Sequence, residues 1–306
     1  MIIEKDTCRL AIVQASPVMF DKEKCIRKAV SAIEKCAEIG AELVVFPELF
    51  VPGYPYGMTF GFTVGSRGAE GRKDWKAYYD NSLLADGPEL QEIRDCAVKN
   101  SLYISIGYSE RDAVSATLYN SNMMISPTGE MLNHRKLKPT GSERVVWGDA
   151  DRDFFPIMDT PWGPMGSLIC WESYMPLART ALYEKGVSIY ISPNTNDNEE
   201  WQNTIRHIAI EGHCFFVNAD LYFRRDMYPK TFGSDAEIAK LGDVVCRGGS
   251  CVIDPYGHAC SSTVWDKEEI IYAELDMQKV PASRMEFDAC GHYSRPDVLK
   301  FEFEDR

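Results

Sequence analysis

The sequence predicts an α/β protein, a single domain built from two mixed β-sheets covered by helices. Three observations carry this. A buried strand, an amphipathic helix and a second buried strand follow one another within residues 9–47. The same order restarts after residue 163. No Pro/Ser-rich linker, low-complexity segment or internal repeat divides the 306 residues, a length that suits one large domain.

The elements read in order. Residues 9–17, RLAIVQASP, form a strand. Residues 21–40 form a helix, with Asp21 able to cap its start, Gly40 its end, and Ile26, Val30, Ile33 and Ala37 on one face. The apolar run ending at Pro47 is a buried strand. Residues 49–86 read as a long Gly- and aromatic-rich connection, of a length that points to function. Pro88 opens a second helix to Lys99. Strands at 102–108 and 117–127 follow, then a polar and aromatic stretch at 134–163. The second half gives strands at 165–170, 187–193 and 214–220 and helices at 176–186 and 199–213. Residues 222–247 read as a loop region, and 249–259 with 268–276 as a hairpin-like pair.

Composition excludes several classes. With 33 basic and 46 acidic residues the net charge is −13, and no Lys/Arg block occurs, so nucleic acid and anionic membrane are poor partners. No apolar run approaches the ~20 residues a bilayer span needs. The opening residues are charged from Glu4 onward and do not read as a secretory signal, so the expected location is cytoplasmic. The ten cysteines show neither C-x-x-C nor zinc spacing, so no metal site is expected and most of them should be small buried hydrophobes.

Three side chains stand just past apolar strands. Glu48, in VVFPELF, is wedged among Pro47, Leu49 and Phe50, where burial raises its proton affinity toward that of a base at neutrality. Lys136, in NHRKLKPTGSER, is one of two lysines flanking Leu137, of which Lys138 reads as solvated. Cys170, in GSLICWESYMPLAR, sits at a strand-to-helix turn, where exposure and the helix N-terminus favour thiolate. His134, His207, His213 and His258 show no pairing pattern and read as structural.

Taken together, VVFPELFVPGYPYG, HRKLKPTGSERVVWG and GSLICWESYMPLAR resemble the Glu, Lys and Cys motifs of the nitrilase superfamily, the carbon-nitrogen hydrolases. The resemblance runs from AIVQASPVMFD to GHYSRPDV at 291–298. Cys170-Trp171-Glu172 is similar to the nitrilase branch, whereas amidase branches more often show Cys-Tyr. Gly141 stands where many relatives carry His. The resemblance implies a four-layer α-β-β-α sandwich and one carbon-nitrogen hydrolase domain over residues 1–306. It implies hydrolysis of an organic nitrile to acid and ammonia through a cysteine thioimidate and thioester. Cys170 would be nucleophile, Glu48 base, Lys136 stabiliser and Glu143 a second glutamate beside the lysine. No metal or organic cofactor is needed. Tyr54, Trp171, Glu172, Asn194 and Thr195 are expected near the substrate, with Glu172 able to hold the turn through backbone N–H groups. The expected partners are a small nitrile, water and further copies of the chain, as a homodimer or larger assembly. The segment 291–306, with His292, would pack on a neighbouring subunit. An amidase, an N-carbamoyl amidohydrolase or a cyanide-hydrolysing enzyme with the same residues remains an alternative, as does a silent member acting through assembly.

Overall fold

The computed structural model describes residues 2–230 and 233–304. The first half contains β1 (Thr7–Gln14), α1 (Lys22–Glu38), β2 (Leu43–Val45), a small hairpin of β3 (Phe62–Thr63) and β4 (Ser66–Arg67), α2 (Gly71–Asn81), α3 (Pro88–Asn100), β5 (Tyr103–Arg111), β6 (Leu118–Ile125) and β7 (Met131–Arg135). The second half contains β8 (Ile157–Met158), β9 (Met165–Ser167), α4 (Pro176–Glu184), β10 (Ile189–Asn194), α5 (Glu199–Gly212), β11 (Phe215–Asp220), β12 (Tyr222–Arg224), α6 (Asp235–Ile238), β13 (Val244–Ile253), β14 (Val264–Trp265), β15 (Glu269–Asp276) and α7 (Lys279–Arg284).

One sheet has the order β15-β1-β2-β5-β6-β7 and the other β12-β13-β11-β10-β9-β8, with β14 paired to β13. Both are mixed, with a parallel centre of β1-β2-β5 in the first and β9-β10-β11 in the second. Alternation along the strands sorts apolar side chains into three layers. On β1, Ala11 and Val13 face α1 and α3, while Leu10 and Ile12 face the other sheet. On β10, Ile189 and Ile191 face the first sheet, while Tyr190 packs beneath α4 and α5. Helix, sheet, sheet and helix thus enclose three apolar seams, which is the four-layer α-β-β-α sandwich.

Several elements differ from the sequence reading. The connection at 49–86 contains α2, which buries Gly71 and Asp74 beside the core residue Tyr78, so its inner face mixes polar and apolar positions. The buried face of α1 is Cys25, Ile26, Ala29, Ile33 and Cys36, with Val30 and Ala37 only half-buried; counting cysteine as a hydrophobe rotates the stripe. Asp21 does cap α1, accepting from the Lys24 N–H. The stretch from 134 begins inside β7, and the region 222–247, whose residues 231–232 lie outside those described, holds β12, α6 and the start of β13. The late strands are not a hairpin: β13 pairs with β11 in one sheet, and β15 runs antiparallel to β1 in the other. Within the described part of 291–306, Phe301 and Phe303 pack on this chain's own outer seam beside α4 and α5, and Phe303 meets Phe155 edge-on. Among the described residues no helix is long and apolar enough to cross a membrane.

Candidate active site

Glu48, Cys170 and Thr195 each lie beyond the carboxyl end of a parallel strand, β2, β9 and β10 respectively, where open α/β sheets present their sites. The chain bends sharply after Glu48, with Leu49 at a φ of 49°. Beneath the bend runs Gly107 of β5. A Cβ there would stand 2.3 Å from the Pro47 carbonyl oxygen and 2.7 Å from the Glu48 Cα, so only glycine admits this approach.

Lys136 extends the β6–β7 ladder by one residue, its N–H donating to the Asn120 carbonyl. Lys136 and Asn120 are therefore cross-strand neighbours, and both side chains reach the same acceptor. Lys136 Nζ donates to Glu48 Oε1 at 2.8 Å, and Asn120 Nδ2 donates to it at 2.6 Å. Lys136 Nζ also donates to Glu143 Oε2 at 2.9 Å. Glu143 belongs to a 3-10 turn, Gly141–Val145, and is fixed by the Thr140 N–H on Oε2 and the Tyr54 hydroxyl on Oε1. Gly141 opens that turn at a φ of 52°, facing open space.

β9 ends at Ser167, three residues before Cys170, which opens a 3-10 turn (Cys170–Tyr174) at a φ of 53°. The turn is held by Glu172. Its Oε2 accepts the Ile169 N–H at 2.6 Å, and its Oε1 accepts the Leu137 N–H at 2.7 Å. One buried carboxylate thus ties the cysteine elbow to the residue after Lys136. The Thr195 N–H hydrogen-bonds Cys170, and the Thr195 hydroxyl donates to Glu48 Oε2 at 3.2 Å.

Burial governs the electrostatics. Glu48 is fully buried, and its carboxyl is pushed above the usual carboxylate range by desolvation, against the opposing pull of Lys136. Lys136 is held more firmly protonated than usual: burial works against its charge, and Glu48 and Glu143 outweigh burial. The thiolate expected of Cys170 is corrected here. Burial first, and Glu48 second, push its proton affinity well up, with Lys136 only partly offsetting them. Cys170 therefore rests as a thiol, and Glu48 is the charged group that acts on it most strongly.

A cavity of about 480 Å³ opens beside Glu143, lined among others by Tyr54, Tyr56, Met58, Phe62 and Trp147. Of the residues expected at the substrate, Tyr54 lines it. Thr195 lies against Glu48 and Cys170 instead. Glu172 has its oxygens committed to the backbone, Asn194 turns its amide onto Ser192 and Asn218, and Trp171 is exposed with its ring edge-on to Tyr174. Lys138 pairs with Asp149 at the surface. Asn120 escaped the sequence reading, and His134 was read there as structural. The turn at 127–130 fixes the β6–β7 register that sets Asn120 across from Lys136, and this was the available signal for it. Among the described residues no cluster of side chains could hold a metal ion.

A buried thiol near a buried carboxylate, and a lysine clamped between two carboxylates, stand together on an α-β-β-α sandwich. The chain belongs to the carbon-nitrogen hydrolase family, whose profile matches residues 9–285. It is 41% identical to an aliphatic nitrilase of Sinorhizobium fredii over 97% of this chain and 96% of that one. It is 40% identical to a bifunctional nitrilase/nitrile hydratase of Lupinus angustifolius, covering 98% and 86%, and 41% identical to nitrilase 2 of Arabidopsis thaliana, covering 95% and 87%. In fold it matches Nit3 of Saccharomyces cerevisiae, a member of branch 10 of the nitrilase superfamily, with a TM-score of 0.75 at 21% identity over 96% and 99% of the two chains. An amidase from Nesterenkonia sp. gives 0.66 at 16% identity over 94% and 97%.

Proposed function

We infer that the protein is a nitrilase, converting R–C≡N and two waters into a carboxylic acid and ammonia. The observation that carries this is the joining of Glu48, Lys136, Glu143 and Cys170 into one buried cluster in a chain about 40% identical to named nitrilases. Glu48 takes the Cys170 proton, and the sulfur forms a bond to the nitrile carbon. Negative charge grows on nitrogen, where the Lys136 ammonium stabilises it, and the proton Glu48 took from sulfur passes to nitrogen, completing the thioimidate and leaving Glu48 ionised again. Water, deprotonated by Glu48, adds to carbon; the C–N bond breaks and nitrogen leaves protonated as ammonia. A second water cleaves the thioester, returning the proton to sulfur. The cavity lining is largely aromatic and apolar, with Thr59, Ser142 and the Glu143 carboxylate as its polar groups, and it carries no Lys or Arg, which favours a neutral organic nitrile over an anionic one.

An exposed apolar patch of Trp171, Tyr174, Met175 and Leu177 beside the elbow supports a homodimer or larger assembly, in which the 291–306 segment is assigned to the contact with a neighbouring copy. The acidic composition suits the cytoplasm. The deciding experiment is ammonia release from phenylacetonitrile, benzonitrile, an aliphatic dinitrile, cyanide and the matching amides, with Cys170→Ala as control. Ammonia from nitriles and not from amides, lost in the variant, is the expected result. Ammonia from amides alone would move the protein to an amidase. Amide should be assayed alongside, since the lupin relative is named for both outcomes.

A further inference from the structure

His134, which the sequence leaves as a structural histidine, lies inside the frame that holds the site. It is completely buried on β7, two residues before Lys136. Its Nε2 stands 3.0 Å from Glu172 Oε2, the oxygen that also accepts the Ile169 N–H. Its Nδ1 stands 3.4 Å from the Asp153 carbonyl oxygen. Both ring nitrogens therefore face oxygen atoms. A neutral imidazole has one N–H and one lone pair, so it would set a lone pair against an oxygen; an imidazolium donates at both ends. A protonated Glu172 could serve the Nε2 side instead. Glu172, however, accepts a backbone N–H on each of its two oxygens, which uses it as an acceptor at both ends.

We propose that His134 is held as an imidazolium, and that its ion pair with Glu172 is the tie that sets the cysteine elbow against the lysine strand. His134 is then a positioning residue. This rests on the reading of Cys170 and Lys136 as nucleophile and stabiliser. Glu172 is the only link described that touches both Ile169, next to Cys170, and Leu137, next to Lys136. Its buried charge needs a counter-charge. The charged groups around the ring are few. Glu172 and the Asp153 carboxylate lie on the acidic side. Arg135 turns away to Glu110 and Asp151, and Lys136 turns to Glu48 and Glu143. Burial works against a charged ring, and Glu172 together with Asp153 outweighs it, so the ring holds its proton above the ordinary histidine value. The Phe155 ring stacks on it and closes that side to solvent. As pH rises through that raised value the pair is lost, the carboxylate is left without its cation, and the elbow loses its register to Lys136.

Two measurements test this. The first is nitrogen NMR of the histidine rings in wild-type protein. The expected result is that His134 keeps both ring nitrogens protonated above the ordinary histidine value of about 6.5; one protonated nitrogen near neutrality overturns the proposal. The second is the pH profile of nitrile hydrolysis in His134→Gln, which keeps one donor and cannot be charged. We expect kcat to fall about 100-fold, the cost of small misplacement of reacting groups, with KM little changed and the alkaline limb of the wild-type profile abolished. Wild-type kcat, or an alkaline limb that stays in place, overturns it. A failure of the nitrilase reading shows separately, as wild-type protein that releases no ammonia. The NMR arm needs neither turnover nor a folded variant, so it decides in every case.

Discussion

Glu48 and Cys170 are both buried, in a space that water barely reaches, and in the proposed reaction a proton passes from the thiol to the carboxylate. Moving that proton from sulfur to carboxylate leaves the net charge of the cluster unchanged, so the step avoids the cost of creating charge in a desolvated site. Glu48 must be ionised to accept it. Because burial raises the Glu48 proton affinity above the ordinary value of 4.5, the acid limb of kcat/KM should fall at a pH above that value, with activity lost as pH drops through it. A pH–rate profile checks this; a limb at or below the ordinary carboxylate value would contradict the assignment. Glu48→Gln should lower kcat by roughly 10²–10⁴-fold, the range for a lost general base. Thr195→Val keeps the N–H on Cys170 and removes the hydroxyl on Glu48, so its loss should be smaller. At this scale the sequence made Glu48 and Cys170 candidates because each follows an apolar run with a reactive group, and Lys136 through the motif that resembles the family's. Asn120 looked like one more strand asparagine, and its contact with Glu48 depends on a register that no single residue announces.

Among the elements, β5 matters beyond its place in the sheet, because Gly107 lets the Glu48 bend lie on it. Gly107→Ala should push that bend outward. We expect destabilisation of about 1–3 kcal/mol, as for overpacking, and a loss of activity of at least about tenfold. Denaturant midpoints and ammonia release measure the two together; a variant with normal kcat would show that the bend tolerates the shift. The strands and helices with clear apolar stripes were legible from periodicity. α2 was not, because it turns Gly71 and Asp74 inward, with Asp74 accepting from Ser234 rather than meeting a hydrophobic core. The ends of β9 were misjudged for a related reason. Leu168 and Ile169 are as apolar as a strand, yet the chain there is already entering the elbow, and Leu168 keeps only a bond to Ile191.

For the whole molecule, the three-seam sandwich follows from strands that are apolar on both faces, and that much was readable. The pairing of β15 with β1 was not: it joins the two ends of the chain and leaves no local trace. The exposed patch at Trp171, Tyr174, Met175 and Leu177 also belongs to this scale. Leu177→Lys places a charge on α4 within it and should shift the protein toward monomer in light scattering, while leaving the buried cluster intact. An unchanged assembly would mean that copies meet elsewhere.

The left-handed backbone at Cys170 carries a consequence for evolution and engineering. A φ of 53° suits glycine and taxes any other residue by something on the order of 1 kcal/mol or more. Replacing Cys170 with glycine should thus relax the elbow, and the inert protein should melt higher than the active one. Libraries ranked by heat resistance alone would drift toward silence at this position. Only a screen that demands product would keep the sulfur where it is.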